Sequence, residues 1–246
     1  LSETANEPIF TVYRGATFNP ELKVSDNSGV ISKVEVKGGL PKGVTPSTEL
    51  TTFTAQTGKT EATPYAARLS SGTVNTETLG VHESTIHVEG SSPSDSRDFK
   101  FKYRVVDIET KNVDENSIAR VPVASTLNKA NSSKNIDAHN YLKVVDSEDK
   151  ADRGNNYLPS GMTWTWKDRD GVNKDRGTTL DNSGKYTRTA VAIFPGTNGT
   201  NANNMTDATS TTRDVFAPAE IKRQVILAVT PTAPIVEGKE NGSVTI

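Results

Sequence analysis

Two clusters of carboxylates are the residues best suited, by type and spacing, to do chemistry in this chain. One runs Asp168-Arg169-Asp170-Gly171-Val172-Asn173-Lys174-Asp175. Asp168, Asp170, Asn173 and Asp175 around a glycine are candidate calcium ligands, because calcium takes six to eight oxygens and closely spaced Asp and Asn supply several. The cluster lacks the distal bidentate Glu of an EF-hand loop, and Arg169, Lys174 and Arg176 dilute its negative field. A solvated hairpin turn is the competing reading. The second cluster, Asp146-Ser147-Glu148-Asp149 with Asp152, is open to the same two readings.

Catalysis has less to work with. The chain holds three histidines, His82, His87 and His139, and no cysteine. His82 and His87 are an odd number of residues apart, so on a continuous strand they face opposite sides. There is no Gly-x-Ser-x-Gly elbow, no His-Glu-x-x-His, and no phosphate-loop or dinucleotide motif. Carboxylate pairs such as Glu83 and Glu89 are too ordinary to nominate as acid and base. A non-catalytic protein is expected, with calcium the one cofactor candidate.

The net charge of −2 provides no field to recruit nucleic acid or an anionic membrane. No apolar run approaches the roughly 18 residues that a membrane-spanning helix needs, so membrane insertion is not expected. The opening Leu1-Ser2-Glu3-Thr4 has neither the basic region nor the apolar core of a signal peptide. Hydrophobic residues make up 33% and aromatics 6%. That lean content suits strands that bury one face and leave the other wet.

Strand patterns dominate. Phe99 to Val105 alternates without a break, with Phe99, Phe101, Tyr103 and Val105 on one face and Lys100, Lys102 and Arg104 on the other. The basic stripe is either a binding patch for acidic polysaccharide or, as preferred here, a wet face that protects a sheet edge. Met162, Trp164 and Trp166 share a face in the same way, and both tryptophans are expected in a core rather than on a sugar-stacking platform. Val225, Leu227 and Val229 mark a closing strand, and Tyr186 to Phe194 a long one. Ile9–Tyr13, Phe18–Val24, Val30–Val36 and Ser84–Val88 are weaker candidates. Asp26-Asn27-Ser28-Gly29, Lys37-Gly38-Gly39 and Asp181-Asn182-Ser183-Gly184 supply turns. No window has helical periodicity over three turns. Residues 197–213, rich in Asn, Thr and Ser, read as a long exposed loop.

A motif pair occurs twice. Leu22-Lys23-Val24 with Asp26 reappears as Leu142-Lys143-Val144 with Asp146, and Leu40-Pro41-Lys42-Gly43-Val44-Thr45 as Leu158-Pro159-Ser160-Gly161-Met162-Thr163. Two landmarks in the same order, about 120 residues apart, point to tandem modules. The expected architecture is all-β: two tandem Ig-like β-sandwich modules over 1–124 and 125–231. Residues 232–246 would be a linker and the start of another module, or a tail. Prolines at Pro122, Pro231 and Pro234 mark the junctions.

The Leu-Pro-x-Gly-Val/Met-Thr stretch after an opening strand and an Asp-containing turn resembles the Ig-type and cadherin-like repeats of Gram-positive cell-wall surface proteins. The strand ending Ile193-Phe194-Pro195-Gly196 is in part similar to Rib-type repeats, although Phe194 and Gly196 depart from that pattern. Taken together the chain is most similar to the repeat regions of giant staphylococcal matrix-binding surface proteins. The resemblance implies a cell-wall location outside the cell and adhesion to host extracellular matrix such as fibronectin, with neighbouring modules of the same chain as further partners. It hands over no catalytic residues. Two alternatives stay open: a stalk without a ligand of its own, and a carbohydrate-binding accessory module.

Overall fold

A computed structural model describes residues 9–75, 77–154, 162–174, 178–194, 214–216 and 219–230. In chain order the strands are β1 (Ile9–Tyr13), β2 (Glu21–Val24), β3 (Lys33–Gly38), β4 (Val44–Pro46), β5 (Tyr65–Arg68), β6 (Ser70–Gly72), β7 (Gly80–Glu89), β8 (Ser96–Thr110) and β9 (Ile118–Pro122). They continue with β10 (Ser125–Leu127), β11 (Asn135–Ile136), β12 (Leu142–Val145), β13 (Thr163–Lys167), β14 (Thr179–Leu180), β15 (Gly184–Phe194), β16 (Asp214–Phe216) and β17 (Ala219–Thr230). The fold is all-β, as the alternation predicts. Its helical content among the described residues is a single turn, α1 (Thr48–Thr51), and a 3-10 turn at Ala138–Tyr141. The α1 turn is capped by Ser47, whose Oγ accepts the Leu50 N–H at 3.2 Å.

The chain divides into two compact units. Unit 1 is drawn from Leu1–Glu109, Lys143–Thr163 and Ala192–Ile221, and unit 2 from Thr110–Leu142, Trp164–Val191 and Lys222–Ile246. Neither follows the linear division read from the repeat. The stretch around Ala124, where the sequence places a junction, is a tight turn within unit 2. Ala124 adopts φ 61° there and Ser125 Oγ donates to the Pro122 carbonyl at 2.7 Å. The duplicated landmarks also take different partners: Leu22–Val24 lies in β2, which pairs with β5, whereas Leu142–Val145 is β12, which pairs with β8. The second Leu-Pro-x-Gly copy at 158–161 lies outside the described residues, as does the loop read at 197–213.

In unit 1 the main sheet runs β16-β1-β8-β7-β3, with β12 also on β8. The β2–β5 pair packs against it. Leu22, Val24 and Ala67 from that pair share one buried cluster with Val34, Ile86, Phe101 and Tyr103 from the main sheet. Period-two alternation explains the assignment: on β8, Phe101 and Tyr103 are buried while Lys100 and Lys102 are exposed. Phe99 is only partly buried, and beyond Val105 the strand buries both faces at Val106. The Tyr103 hydroxyl donates to the Gly39 carbonyl at 2.7 Å, and burial pushes its pKa up to about 12. Gly39 must be glycine: its φ is +82°, and a Cβ there would collide with the Glu83 carbonyl.

Unit 2 carries the sheet β13-β15-β17-β9 and the smaller sheet β11-β10-β14. Val225, Leu227 and Val229 are buried as their spacing predicts, together with Leu127, Leu180 and Trp166. Trp166 is 1% exposed, and its Nε1 donates to the Ile136 carbonyl at 2.8 Å. Trp164 departs from the expected core placement. It is half-buried and lies parallel to the His139 ring, with centroids 4.3 Å apart. Strand β13 is the edge of its sheet, and of its two tryptophans Trp164 is the one left partly wet.

Candidate functional site

Unit 1 carries a groove of about 540 Å³ between β2 with its following turn and the tip of the β7–β8 hairpin. Its floor is apolar because Leu22, Val24, Ile86 and Val88 are core residues of the two facing layers. Its rim is polar and mixed in charge: Lys23, Asp26, Asn27, Glu61, Asp95 and Arg97. The hairpin tip is a tight turn closed by Gly90 N–H to the Asp95 carbonyl at 2.7 Å, with the Ser91 N–H on Asp95 Oδ2 at 3.1 Å. Gly90 lets two carboxylates approach, since a Cβ there would collide with Asp95 and meet Asp26 Oδ2 at 3.0 Å. Ser28 donates both its hydroxyl and its N–H to Asp26 Oδ1, and these bonds hold the Asp26 carboxyl below its ordinary range. The Arg97 guanidinium lies 5.0 Å over the Phe99 ring, a cation–π contact that orients it on the sheet face.

An apolar floor with hydroxyl-accepting carboxylates and a forked cation at the rim suits a ligand with one apolar face and many polar groups, one of them anionic. The three histidines hold structure. His82 Nε2 donates to the Thr78 carbonyl at 2.6 Å while its ring stacks on Tyr103. His87 lies between Asp98 and Glu89, and His139 stacks on Trp164.

A second arginine–aromatic pair occurs in unit 2. Arg188 on β15 is 5.7 Å from the Tyr186 ring and donates Nη1 to the Thr187 carbonyl at 2.9 Å. The sequence reading passed over both Arg97 and Arg188. The legible signal was an aromatic two positions from an arginine on a strand, which puts both on one face.

The predicted metal ligands are placed differently. Asp168 closes a hairpin turn: its Oδ1 accepts Val172 N–H at 3.0 Å, and its Oδ2 accepts the N–H and Nδ2 of Asn173 at 3.3 and 3.1 Å. The Val172 bond is the main reason its carboxyl sits below the ordinary range. Asp170 points instead toward a small groove with Arg169 and Lys222, and Asp175 lies outside the described residues. In the other acidic cluster arginines occupy the carboxylates: Arg153 pairs with Asp146 at 2.6 Å and Arg14 with Glu148 at 3.3 Å. Among the described residues, no group of three or more His, Cys, Asp or Glu is placed to hold a metal. The basic stripe is partly neutralised, with Lys100 3.2 Å from Glu83. Among the described residues, no helix is long and apolar enough to cross a membrane.

Residues 2–91 match the family model described as the GspA/SrpA SigLec-like domain. That stretch carries β1 to β7 and most of the groove lining. No curated protein sequence matches the chain. Among solved structures, it is similar to a mutant of the SrpA adhesin from Streptococcus sanguinis at 15% identity, covering 76% of this chain and 86% of that one, with a TM-score of 0.35. It is also similar to the sialic acid binding region of a Streptococcus sanguinis SK1 adhesin bound to 3'sLn, at 17% identity, 88% and 46% coverage and a TM-score of 0.33. Human protocadherin-24 EC1-2 follows at 13% identity, 93% and 96% coverage and a TM-score of 0.25. At these scores the structural likenesses, unlike the family match, carry no functional weight. It does not return the staphylococcal matrix-binding repeats that the sequence resembled.

Proposed function

We propose that this chain is a non-catalytic, glycan-binding module of a Gram-positive surface adhesin, and that the groove of unit 1 holds a sialylated sugar. The observation that carries the reading is the coincidence of the SigLec-like match over 2–91 with a groove built largely from the same residues. Arg97 would fork onto the sugar carboxylate, Asp26 and Asp95 would accept hydroxyls, and the apolar floor would take the ring face. A glycan thus replaces fibronectin as the ligand proposed, in line with the carbohydrate-binding alternative that the sequence left open. The extracellular, cell-wall location belongs to the same proposal, as do neighbouring modules in a surface array.

Calorimetric titration of the whole chain with 3'sLn and with its desialylated counterpart tests the proposal. Saturable binding to the sialylated sugar alone is expected, with loss on Arg97→Ala of the part of it that the unit 1 groove supplies. Loss on Arg188→Ala with Arg97→Ala unaffected would move the site to unit 2. Binding to neither sugar would leave a spacer and sink the proposal.

A further inference from the structure

Unit 2 has a groove of its own, about 340 Å³, lined by Arg169, Asp170, Gly171, Thr189, Lys222 and Gln224. These residues come from three places in the chain: the turn after β13, the middle of β15, and β17. Two of its walls carry cations, Arg169 from the turn and Lys222 from the strand. The turn is fixed to the sheet, because Thr189 Oγ1 and Gln224 Nε2 both donate to the Arg169 carbonyl, at 3.3 and 3.1 Å. Glycine keeps the floor open. Gly171 adopts φ +69°, and a Cβ there would meet Lys222 Cδ at 3.1 Å and Thr189 Cγ2 at 3.3 Å. Val172, next to the floor, is 68% exposed and offers a small apolar surface at the tip of the turn.

We propose that this groove is a second, separate binding site that takes the oxyanion of an acidic saccharide, whether sulfate ester or carboxylate. Arg169 and Lys222 supply the charge-assisted donors, the immobilised turn lowers the ordering cost of binding, and Val172 meets an apolar edge of the sugar. The turn whose sequence offers both a calcium candidate and a solvated hairpin thus presents cations to this groove. Asp168 spends both oxygens on hydrogen bonds within the turn, and the side chains around the groove are two cations to one carboxylate, Asp170. Asp170 opposes an anion, so it tunes affinity downward.

This inference shares the saccharide class of the reading above but not its site, and the variants separate the two. The whole chain is titrated with N-acetylglucosamine 6-sulfate, with 3'sLn and with N-acetylglucosamine, at low salt and at about 0.15 M, where exposed charges are largely screened beyond roughly 8 Å. Binding of at least one acidic sugar is expected. Measured in an Arg97→Ala background, which removes the contribution of the unit 1 groove, it should weaken about tenfold in Arg169→Ala and in Lys222→Ala, tighten in Asp170→Asn and fall with salt. The sulfated sugar alone identifies a sulfate ester, 3'sLn alone a carboxylate, and both the oxyanion class. Near-ultraviolet circular dichroism from Trp166 confirms that each variant is folded. Absence of binding by either acidic sugar, or binding indifferent to both Arg169→Ala and Lys222→Ala in folded protein, overturns the proposal.

Discussion

His87 and Asp98 face each other across the β7–β8 ladder, with the imidazole Nδ1 2.6 Å from Asp98 Oδ1. The other ring nitrogen lies 3.1 Å from Glu89 Oε1. The Asp98 bond is the largest cause holding the His87 pKa above its ordinary 6.5, with Glu89 adding to it and Lys37 opposing. The same bond holds Asp98 below 3.8. Protonated His87 therefore stabilises the fold below about pH 6.5, and this contribution is lost as pH rises through the raised value. The Asp98 contribution is present above pH 3.8 and is lost as pH falls through its lowered value. Melting temperature measured between pH 5 and 8 is expected to fall with rising pH in the native chain, and the slope to shrink in His87→Gln. An identical slope in both would refute the clamp.

Trp166 is the largest buried side chain of unit 2, and its backbone is clamped by one residue. Asn128 Nδ2 donates to the Trp166 carbonyl at 2.8 Å, and Asn128 Oδ1 accepts the Trp166 N–H at 2.9 Å. Trp166→Ala should cost about 3–5 kcal/mol through lost burial and the cavity left behind. Trp166→Phe keeps most of the ring but leaves the Ile136 carbonyl without its indole donor, a loss of roughly 1–3 kcal/mol. Trp164→Ala should cost clearly less than Trp166→Ala, because Trp164 is half-buried. Urea denaturation of the three variants gives the ranking, and an equal cost at 164 and 166 would contradict it.

Expression of residues 1–124 alone separates two organisations of the chain. Linear tandem modules imply that this piece folds independently. In the interleaved units it lacks β12 and β16, so β8 loses one partner and β1 another. We expect the fragment to melt well below the full chain, or without a cooperative transition. A melting temperature equal to that of unit 1 in the full chain would favour the linear modules.

Calcium should leave the melting temperature unchanged. The Asp168 oxygens already accept three hydrogen bonds, and Arg153 and Arg14 neutralise the 146–149 cluster. A ligand that binds only the folded state raises stability by mass action. Thermal scans in millimolar calcium and in chelator would reveal a site through a shift of a few degrees or more.

The alternation from Phe99 to Val105 and from Ile221 to Val229 was enough to place two long strands and their buried faces, because period two is a local property. Ile9–Tyr13 was legible for the same reason. The grooves were not. Each needs residues brought together by turns whose side chains carry no periodic signal: Gly90 and Asp95 against Asp26 in one, Gly171 against Thr189 and Lys222 in the other. Asn128 escaped notice because its work is done on a backbone 38 residues away. The acidic turn at Asp168 allowed two readings for another reason: the oxygens that suit calcium by count are those an Asx turn uses to satisfy its own N–H groups.

Strand β1 lies between β8 and β16, parallel to both. A load drawn along β1 meets two ladders side by side, so its hydrogen bonds share the force and must break nearly together. Peeling one bond at a time would need a pull across the sheet. The strand order thus sets a mechanical threshold as well as a fold.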